Sequence, residues 1–151
     1  MAHEGKVSFR VERPREEVFA YLADLEKAPE WVPDLVSVKK VTEGPVGVGT
    51  RYEEVVRTGS RMATAELEVT DHDPPRLFAH RGQGGPSHFT GRFELAQDGA
   101  GTLVTHHWSV RMSGVFKLMA PLASGWVRKN VDAGVENLRR RLAPPEAGGA
   151  S

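Results

Sequence analysis

The 151-residue sequence contains no cysteine. A disulfide framework, a thiol nucleophile, a cysteine-ligated zinc and an iron–sulfur cluster are therefore excluded. The sequence also lacks an apolar run long enough to form a transmembrane helix, which needs about 18 residues or more. Its first residues, Met-Ala-His-Glu-Gly-Lys, do not have the apolar character of a signal peptide. We therefore expect a cytoplasmic protein without a transmembrane segment.

An excess of charge of one sign is also missing, because 20 Lys+Arg balance 20 Asp+Glu. A neutral chain does not have the basic surface of a nucleic-acid binder, so we expect no nucleic-acid partner. Hydrophobic residues make up 39% of the sequence, which suffices for one core in a single domain. We place that domain at residues 1–142. Residues 143–151 have no apolar periodicity and are expected to be a disordered tail.

The first part of the chain predicts a strand followed by two short helices. Apolar and polar residues alternate from Val7 to Val11, which is typical of a strand with one buried face. Pro14 is followed by two glutamates, a combination that favours the first turn of a helix. Pro29 is expected to end this helix and to leave room for a second short helical turn before Pro33.

The remainder predicts six strands and a long helix. The strands are separated by turns rich in glycine and proline, and we place them at residues 35–41, 50–57, 62–70, 77–81, 89–95 and 102–112. An amphipathic helix follows at about residues 115–142, with a kink at Pro121. This order predicts an α+β fold, in which a curved seven-stranded antiparallel sheet surrounds the C-terminal helix. We expect a cavity of several hundred Å³ between them.

Five short motifs carry a resemblance to a known family. The series Pro14-x-x-x-Val18-Phe19-x-x-Leu22-x-Asp24 and Pro29-x-Trp31-x-Pro33 resembles the opening of the polyketide cyclase/dehydrase and lipid-transport (SRPBCC) family. Later turns of that family resemble Val46-Gly47-Val48-Gly49-Thr50, Asp73-Pro74-Pro75-Arg76-Leu77 and Gly101-Thr102-x-Val104-Thr105. The resemblance covers about residues 5–142. It implies the START-like, helix-grip fold and a small hydrophobic ligand, but these turn motifs carry no chemistry.

The last strand contains the clearest candidate for a functional group. Its more apolar face, which we expect to meet the helix, consists of Val104, His106, Trp108, Val110 and Met112. One interpretation of His106 is a core histidine with a hydrogen-bonding neighbour. The other is a cavity group that orients a ligand or moves a proton. We predict that its ring lines the cavity and bonds Glu54, Tyr52 or a ligand.

The strand that begins near Thr50 raises a similar question. Tyr52 and Glu54 share a face, and three charged side chains occupy the opposite face, so we place Tyr52 and Glu54 inward. A buried carboxyl group must find a partner or stay protonated. Glu54 is thus either a rim residue or a cavity acid, with His106, Arg81 and Asn130 as possible partners. If the protein is an enzyme, the catalytic candidates are His106, Glu54, Tyr52 and Arg81.

The expected ligand-binding residues are the large apolar, aromatic and amide side chains of the inner faces: Trp31, Tyr52, Phe89, His106, Trp108, Met112, Met119, Leu122, Trp126 and Asn130. We expect the opening near Trp31 and the 82–86 segment, because prolines fix the former and glycines loosen the latter. His106 and His107 point to opposite faces of a strand and cannot share one ion. We therefore expect neither a metal nor another cofactor.

Three functions are consistent with this sequence. The first is binding or transport of a lipid, isoprenoid quinone or polyketide-like molecule by a monomer or homodimer. The second, implied by the resemblance, is an aromatic polyketide cyclase or dehydratase that uses cavity acid and base groups. The third is a protein-interaction module of the same fold. An enzyme needs two titratable groups that converge in the cavity, whereas a carrier needs only an apolar lining and an opening.

Overall fold

The computed structural model describes residues 2–113 and 120–142, and it describes side chains for residues 4–113 and 128–142. Seven strands and three helical segments follow in the predicted order. They are β1 (Ala2–Val11), α1 (Arg15–Ala23), a 3-10 helix (Leu25–Glu30), β2 (Leu35–Lys40), β3 (Arg51–Thr58), β4 (Arg61–Asp73), β5 (Leu77–Gly84), β6 (Ser87–Asp98), β7 (Gly101–Met112) and α2 (Ala120–Arg141). Residues 114–119 and the predicted tail, 143–151, lie outside the described residues.

The strands form one antiparallel sheet in the order β1-β7-β6-β5-β4-β3-β2. The first strand therefore pairs with the last, and the others follow as a meander whose edge strands are β1 and β2. The helices cover one face of this sheet, and α2 contacts β1 while α1 contacts β5, β6 and β7. The predicted helix-grip architecture is confirmed.

Strands β4, β5 and β6 are longer than the sequence predicted. The prediction placed the end of β4 at residue 70, but the strand continues to Asp73, with a bulge between Val69 and Asp71 that absorbs the change in register. Strands β5 and β6 extend until the chain turns at Gly85, whose φ of 55° is in the region that glycine tolerates. The 82–86 segment, expected as a loop, is thus largely strand.

The first helix is shorter than predicted. It ends at Ala23, since Asp24 leaves the helical region with ψ at 86°. The 3-10 helix that follows contains Pro29 near its end, so this proline does not terminate α1. The predicted kink at Pro121 falls where side chains are outside the described set. No helix among the described residues is long and apolar enough to cross a membrane.

The core fills one end of the space between the sheet and the helices. Leu138 and Leu142 of α2 are 0% and 7% exposed, and Val18 and Leu22 of α1 are similarly buried. They pack with strand residues that include Phe9, Val11, Phe93, Leu95 and Val104. Full burial of each such side chain contributes about 1.5–3 kcal/mol. This packing holds α2 against the sheet and leaves the other end of the same sheet face less covered.

Candidate functional site

The inner face of the sheet has two ends of different character. We call the fully buried part the closed end, defined by Phe9, Val11, Phe93, Leu95 and Val104. A group of residues on the same face of β5, β6 and β7 is half-buried. We call it the open end, defined by His80, Phe89, His106, Trp108, Val110 and Met112. Cross-strand pairing joins the two ends, because Phe93 of the closed end pairs with His106 of the open end. The open end has the apolar and polar mixture of a ligand site.

Three rings of the open end lie over glycines on neighbouring strands. They are Trp108 over Gly5, His80 over Gly91 and Phe89 over Gly82. A Cβ atom added at these glycines would stand 2.5, 2.6 and 2.2 Å from the respective rings. Any other residue would therefore push the ring away from the sheet. The glycines therefore allow the rings to lean onto the neighbouring strands.

His106 lies at the boundary between the two ends. Its ring stacks on Phe93 with a centroid distance of 4.3 Å and an interplanar angle of 7°. Its Nδ1 is buried and has no hydrogen-bond partner in the described part of the chain. The predicted bond to Glu54 or Tyr52 is not formed, because three strands separate β7 from β3 in the sheet.

His80 is a second histidine on this face, and the sequence analysis missed it. Its Nδ1 is also buried without a partner among the described residues. The signal was weak because Leu77, Phe78 and Ala79 are all apolar, so alternation in β5 does not show which residues face inward. The cross-strand neighbours settle the question, since His80 pairs with Gly91 next to Trp108.

Burial keeps both histidines neutral. It lowers the pKa of His80 to about 4. The pKa of His106 falls to about 3, chiefly through burial and then through the charges of His80 and His107. Near neutral pH each ring therefore offers one N–H donor and one nitrogen acceptor. With pKa values this low, the rings are better suited to bond a ligand than to shuttle protons.

Glu54 is a buried carboxyl group of a different kind. It is 7% exposed, as the alternation in β3 predicted, and its cross-strand neighbours are Val38 and Ala65. Burial alone raises its pKa to about 7. Because no nearby charge contributes, neither His106 nor Arg81 acts as its partner. A carboxyl group with this pKa can exchange a proton near neutral pH.

Arg81 does not belong to the inner face. Its side chain is 64% exposed, and its Nη2 donates to Glu68 Oε1 at 2.9 Å on the outer face of the sheet. The candidate role for Arg81 in the cavity is therefore corrected, since adjacent residues of a strand point to opposite faces and His80 takes the inner position. Asn130 is half-buried on α2. Among the described side chains, no hydrogen bond or ion pair joins it to Glu54 or His106.

Trp31 is a core residue rather than a residue at an opening. It is 9% exposed, and its ring meets Phe93 edge to face with centroids 6.1 Å apart. Its carbonyl accepts a hydrogen bond from Asn137 Nδ2 at 3.1 Å, a link to α2 that the sequence did not reveal. Gly134 completes this packing, because a Cβ there would lie 3.7 Å from the indole.

Three predicted lining residues cannot be placed. Met119 lies outside the described residues, and Leu122 and Trp126 lie in the part of α2 whose side chains are not described. Among the described side chains, no group of three His, Asp or Glu residues could hold a metal ion.

Comparison with known proteins identifies a family. The model of the family described as "Polyketide cyclase / dehydrase and lipid transport" matches residues 2–143. The sequence has no match among proteins of curated function.

Several solved structures share the fold. A START superfamily protein from Mycobacterium smegmatis is similar with a TM-score of 0.78 and 15% identity, over 93% of this chain and 97% of that one. The Zhui aromatase/cyclase from Streptomyces sp. R1128 has a TM-score of 0.73 and 19% identity, with 94% of each chain covered. The di-domain ARO/CYC StfQ of the steffimycin biosynthetic pathway has a TM-score of 0.75 and 14% identity, over 98% of this chain and 52% of that one.

Proposed function

Because the chain belongs to the polyketide cyclase/dehydrase and lipid-transport family, we propose that it binds a small hydrophobic molecule at the open end of its sheet. The ligand classes that fit are those with an apolar body and a few oxygen atoms, such as a lipid, an isoprenoid quinone or a polyketide. The supporting observation is the open end itself, where apolar rings are only half-buried beside two buried nitrogens that have no partner among the described residues.

The two histidines favour a ligand that carries oxygen. An unpaired buried polar group costs about 1–3 kcal/mol, which a hydroxyl or carbonyl group of a ligand would recover. Phe89, Trp108 and Val110 would contact the apolar part, and the glycines beneath the rings leave room for it. Binding would thus combine apolar burial with one or two hydrogen bonds that set the orientation.

Fluorescence of 1-anilinonaphthalene-8-sulfonate (ANS) tests this proposal. We expect saturable enhancement with the intact protein. Val110→Asp should abolish it, because the new carboxylate would lie on the apolar inner face, whereas Ser109→Asp adds the same charge to the outer face of the same strand and should preserve it. Circular dichroism checks that both variants fold, and Val110→Phe provides an uncharged variant that fills the same space. Equal ANS binding by all three variants would contradict the proposal.

The natural ligand can be sought directly. Protein purified without denaturation is extracted with organic solvent, and the extract is analysed by mass spectrometry. We expect an apolar compound with oxygen substituents at a level comparable to the protein, and at a much lower level in Val110→Asp prepared in parallel. The same compound at equal levels in both preparations would show adventitious carry-over.

A second candidate function is acid–base catalysis on a polyketide-like substrate, and Glu54 favours it. Its pKa of about 7 lets it hold or release a proton near neutral pH. Glu54→Gln should then lower the rate of proton-dependent cyclisation of a poly-β-ketone by roughly 10²–10⁴-fold. Glu53→Gln, which alters the exposed neighbour on the opposite face, is the matched control. An unchanged rate in Glu54→Gln would leave binding alone as the function.

A further inference from the structure

A cleft lies beside α1, over the part of the sheet that β3 and the end of β4 form. It is a cleft of about 660 Å³ between α1, the β2–β3 loop and the β4–β5 turn. We call it the α1 cleft and define it by Phe19, Asp24, Glu26, Lys40, Tyr52 and Pro74. Among the described residues, its lining includes none of the open-end residues. Its volume is in the range of known small-molecule sites, about 300–1,000 Å³.

The cleft combines an apolar wall with acidic side chains. Phe19 and Pro74 supply apolar surface, and the carboxylates are Asp24, Glu26 and Glu16. Lys40 is the one lysine among the described residues that line it. The amine of Lys40 donates to the carbonyl of Gly44 in the β2–β3 loop, so it is occupied there. His72 also lines the cleft, with its ring against Phe19 at a centroid distance of 5.6 Å.

The carboxylates are only partly engaged by the protein. Glu26 Oε2 accepts a hydrogen bond from the backbone nitrogen of Lys40 at 3.1 Å, which fixes its position beside the cleft. Asp24 Oδ2 is 4.0 Å from the amine of Lys27, and both side chains are more than 40% exposed. An ion pair this exposed contributes little, so the negative charge of Asp24 remains available.

Tyr52 provides an independent observation that points to a ligand. It lines the cleft and is 2% exposed, and its hydroxyl has no hydrogen-bond partner in the described part of the chain. Burial raises its pKa to about 12, together with the charges of Asp24 and Glu26. The hydroxyl therefore lies within the field of the two carboxylates, and at neutral pH it is protonated and has no partner within the described ranges. A buried hydroxyl without a partner is costly, and a bound polar group would remove that cost.

We propose that the α1 cleft is a binding site for a small organic cation, namely an ammonium group carried on an aromatic or aliphatic body. The ammonium group lies between Asp24 and Glu26 and donates a hydrogen bond to the Tyr52 hydroxyl oxygen. The apolar body packs against Phe19 and Pro74. A cation gives the hydroxyl a hydrogen-bond partner and also compensates the excess negative charge. A neutral ligand can provide only the hydrogen bond, and an anion is repelled by the carboxylates.

The probe for this site is 2-phenylethylammonium, with uncharged 2-phenylethanol as its matched control. Both are titrated into ¹⁵N-labelled protein while amide resonances are recorded. We expect saturable shifts at residues 19–26 and at Tyr52, with an affinity for the ammonium compound roughly tenfold higher, as one charge-assisted hydrogen bond provides. Saturating ANS, which reports on the open end, should leave these shifts unchanged.

Variants then separate the contribution of the Tyr52 hydroxyl from that of the two carboxylates, Asp24 and Glu26. Tyr52→Phe removes only the hydroxyl and should lower the affinity for the ammonium compound roughly five- to tenfold. The double variant Asp24→Asn, Glu26→Gln keeps the side-chain shapes and should erase the preference over 2-phenylethanol. Glu53→Gln, an exposed carboxylate next to Tyr52 on the opposite face, should change neither.

Three results would overturn the proposal. One is the absence of saturable shifts at the cleft, and another is equal affinity for the charged and uncharged compounds. The third is displacement of the ammonium compound by ANS, which would place it at the open end. Since the ANS experiments with Val110→Asp test the open end alone, either proposal can fail while the other stands.

Discussion

Phe93 and Phe89 lie four residues apart on the same face of β6, yet their surroundings differ. Phe93 is 2% exposed and packs between Trp31 and His106 at the closed end. Phe89 is half-buried at the open end, with its ring over Gly82. The same two strands, β6 and β7, thus build a packed core at one end and an accessible apolar surface at the other. The packed core and the surface that we propose to bind ligand are therefore different parts of one sheet face.

The contrast extends to polar groups. At the closed end the buried Thr102 hydroxyl donates to the carbonyl of Arg13 at 2.7 Å. At the open end the Nδ1 atoms of His80 and His106 have no partner among the described residues. A packed region satisfies its polar atoms internally, whereas a binding surface leaves them for a ligand.

The largest expected effect comes from truncating the two phenylalanines. Phe93→Ala should destabilise the fold by about 3–5 kcal/mol, because it opens a cavity in a packed core. Phe89→Ala should cost only about 1–2 kcal/mol but weaken ANS binding strongly, since its ring is only partly buried. Urea unfolding measures the loss of stability in each variant, and ANS titration measures the loss of binding. Equal costs for the two variants would show that the ends do not differ in packing.

Glu54 should make the protein less stable as the pH rises. Its folded-state pKa of about 7 is above the unfolded value of 4.5. The favourable contribution of the protonated form is therefore complete below pH 4.5 and is lost as pH rises to about 7, by on the order of 3 kcal/mol. Glu54→Gln should remove this loss and be the more stable protein at alkaline pH.

The stability effect of Glu54 must be measured as a difference between variants, because His80 and His106 make the fold more stable as the pH rises, which opposes the effect of Glu54. Subtracting the urea-unfolding free energy of Glu54→Gln from that of the intact protein, across the pH range, isolates the carboxyl group. Glu53→Gln should track the intact protein. A difference that does not vary between acidic and alkaline pH would mean that Glu54 is ionised in the folded state, contrary to this assignment.

His106→Phe should weaken ANS binding by roughly tenfold near neutral pH, which corresponds to one hydrogen bond. It should also make the fold less sensitive to acid. The pKa of His106 falls from 6.5 to about 3 on folding, so its contribution to stability is present above pH 6.5 and is lost as the pH falls towards 3. The control is His107→Phe, which breaks the 2.6 Å contact with Glu94 on the outer face and should leave ANS binding intact. Identical behaviour of the two variants would refute a special role for His106.

The smallest effect is expected at Arg81. Its ion pair with Glu68 is exposed, so Arg81→Gln should change stability by less than about 1 kcal/mol. Affinity for ANS should not change, because the side chain is on the outer face. A marked loss of binding would require Arg81 to reach the inner face in solution.

The sequence predicted the order of the elements and the facing of β3 and β7, because charged residues cluster on one face of β3 and apolar residues on one face of β7. It failed where both faces are apolar, as in β5, so Arg81 was chosen and His80 was overlooked. It also could not show that β3 and β7 are held apart by three strands, and therefore that Glu54 and His106 do not bond. The distance between two strands of a sheet depends on the strand order, and local periodicity in the sequence does not indicate that order.

Trp31 illustrates the same limit. Flanking prolines suggested a residue at an opening, but the indole packs in the core, with Asn137 and Gly134 of α2 beside it. Contacts between residues a hundred positions apart follow from how the helix crosses the sheet. Neighbouring residues in the sequence give no indication of them.

If ligand binds at the open end, the closed end should keep its packing. Amide chemical-shift mapping with ANS distinguishes the two ends, because separate residues of β6 and β7 report on each. We expect saturable shifts concentrated at residues 87–91 and 106–112, with residues 93–95 and 101–104 nearly unaffected. Shifts concentrated at the closed end or on the outer face, or none that saturate, would contradict it.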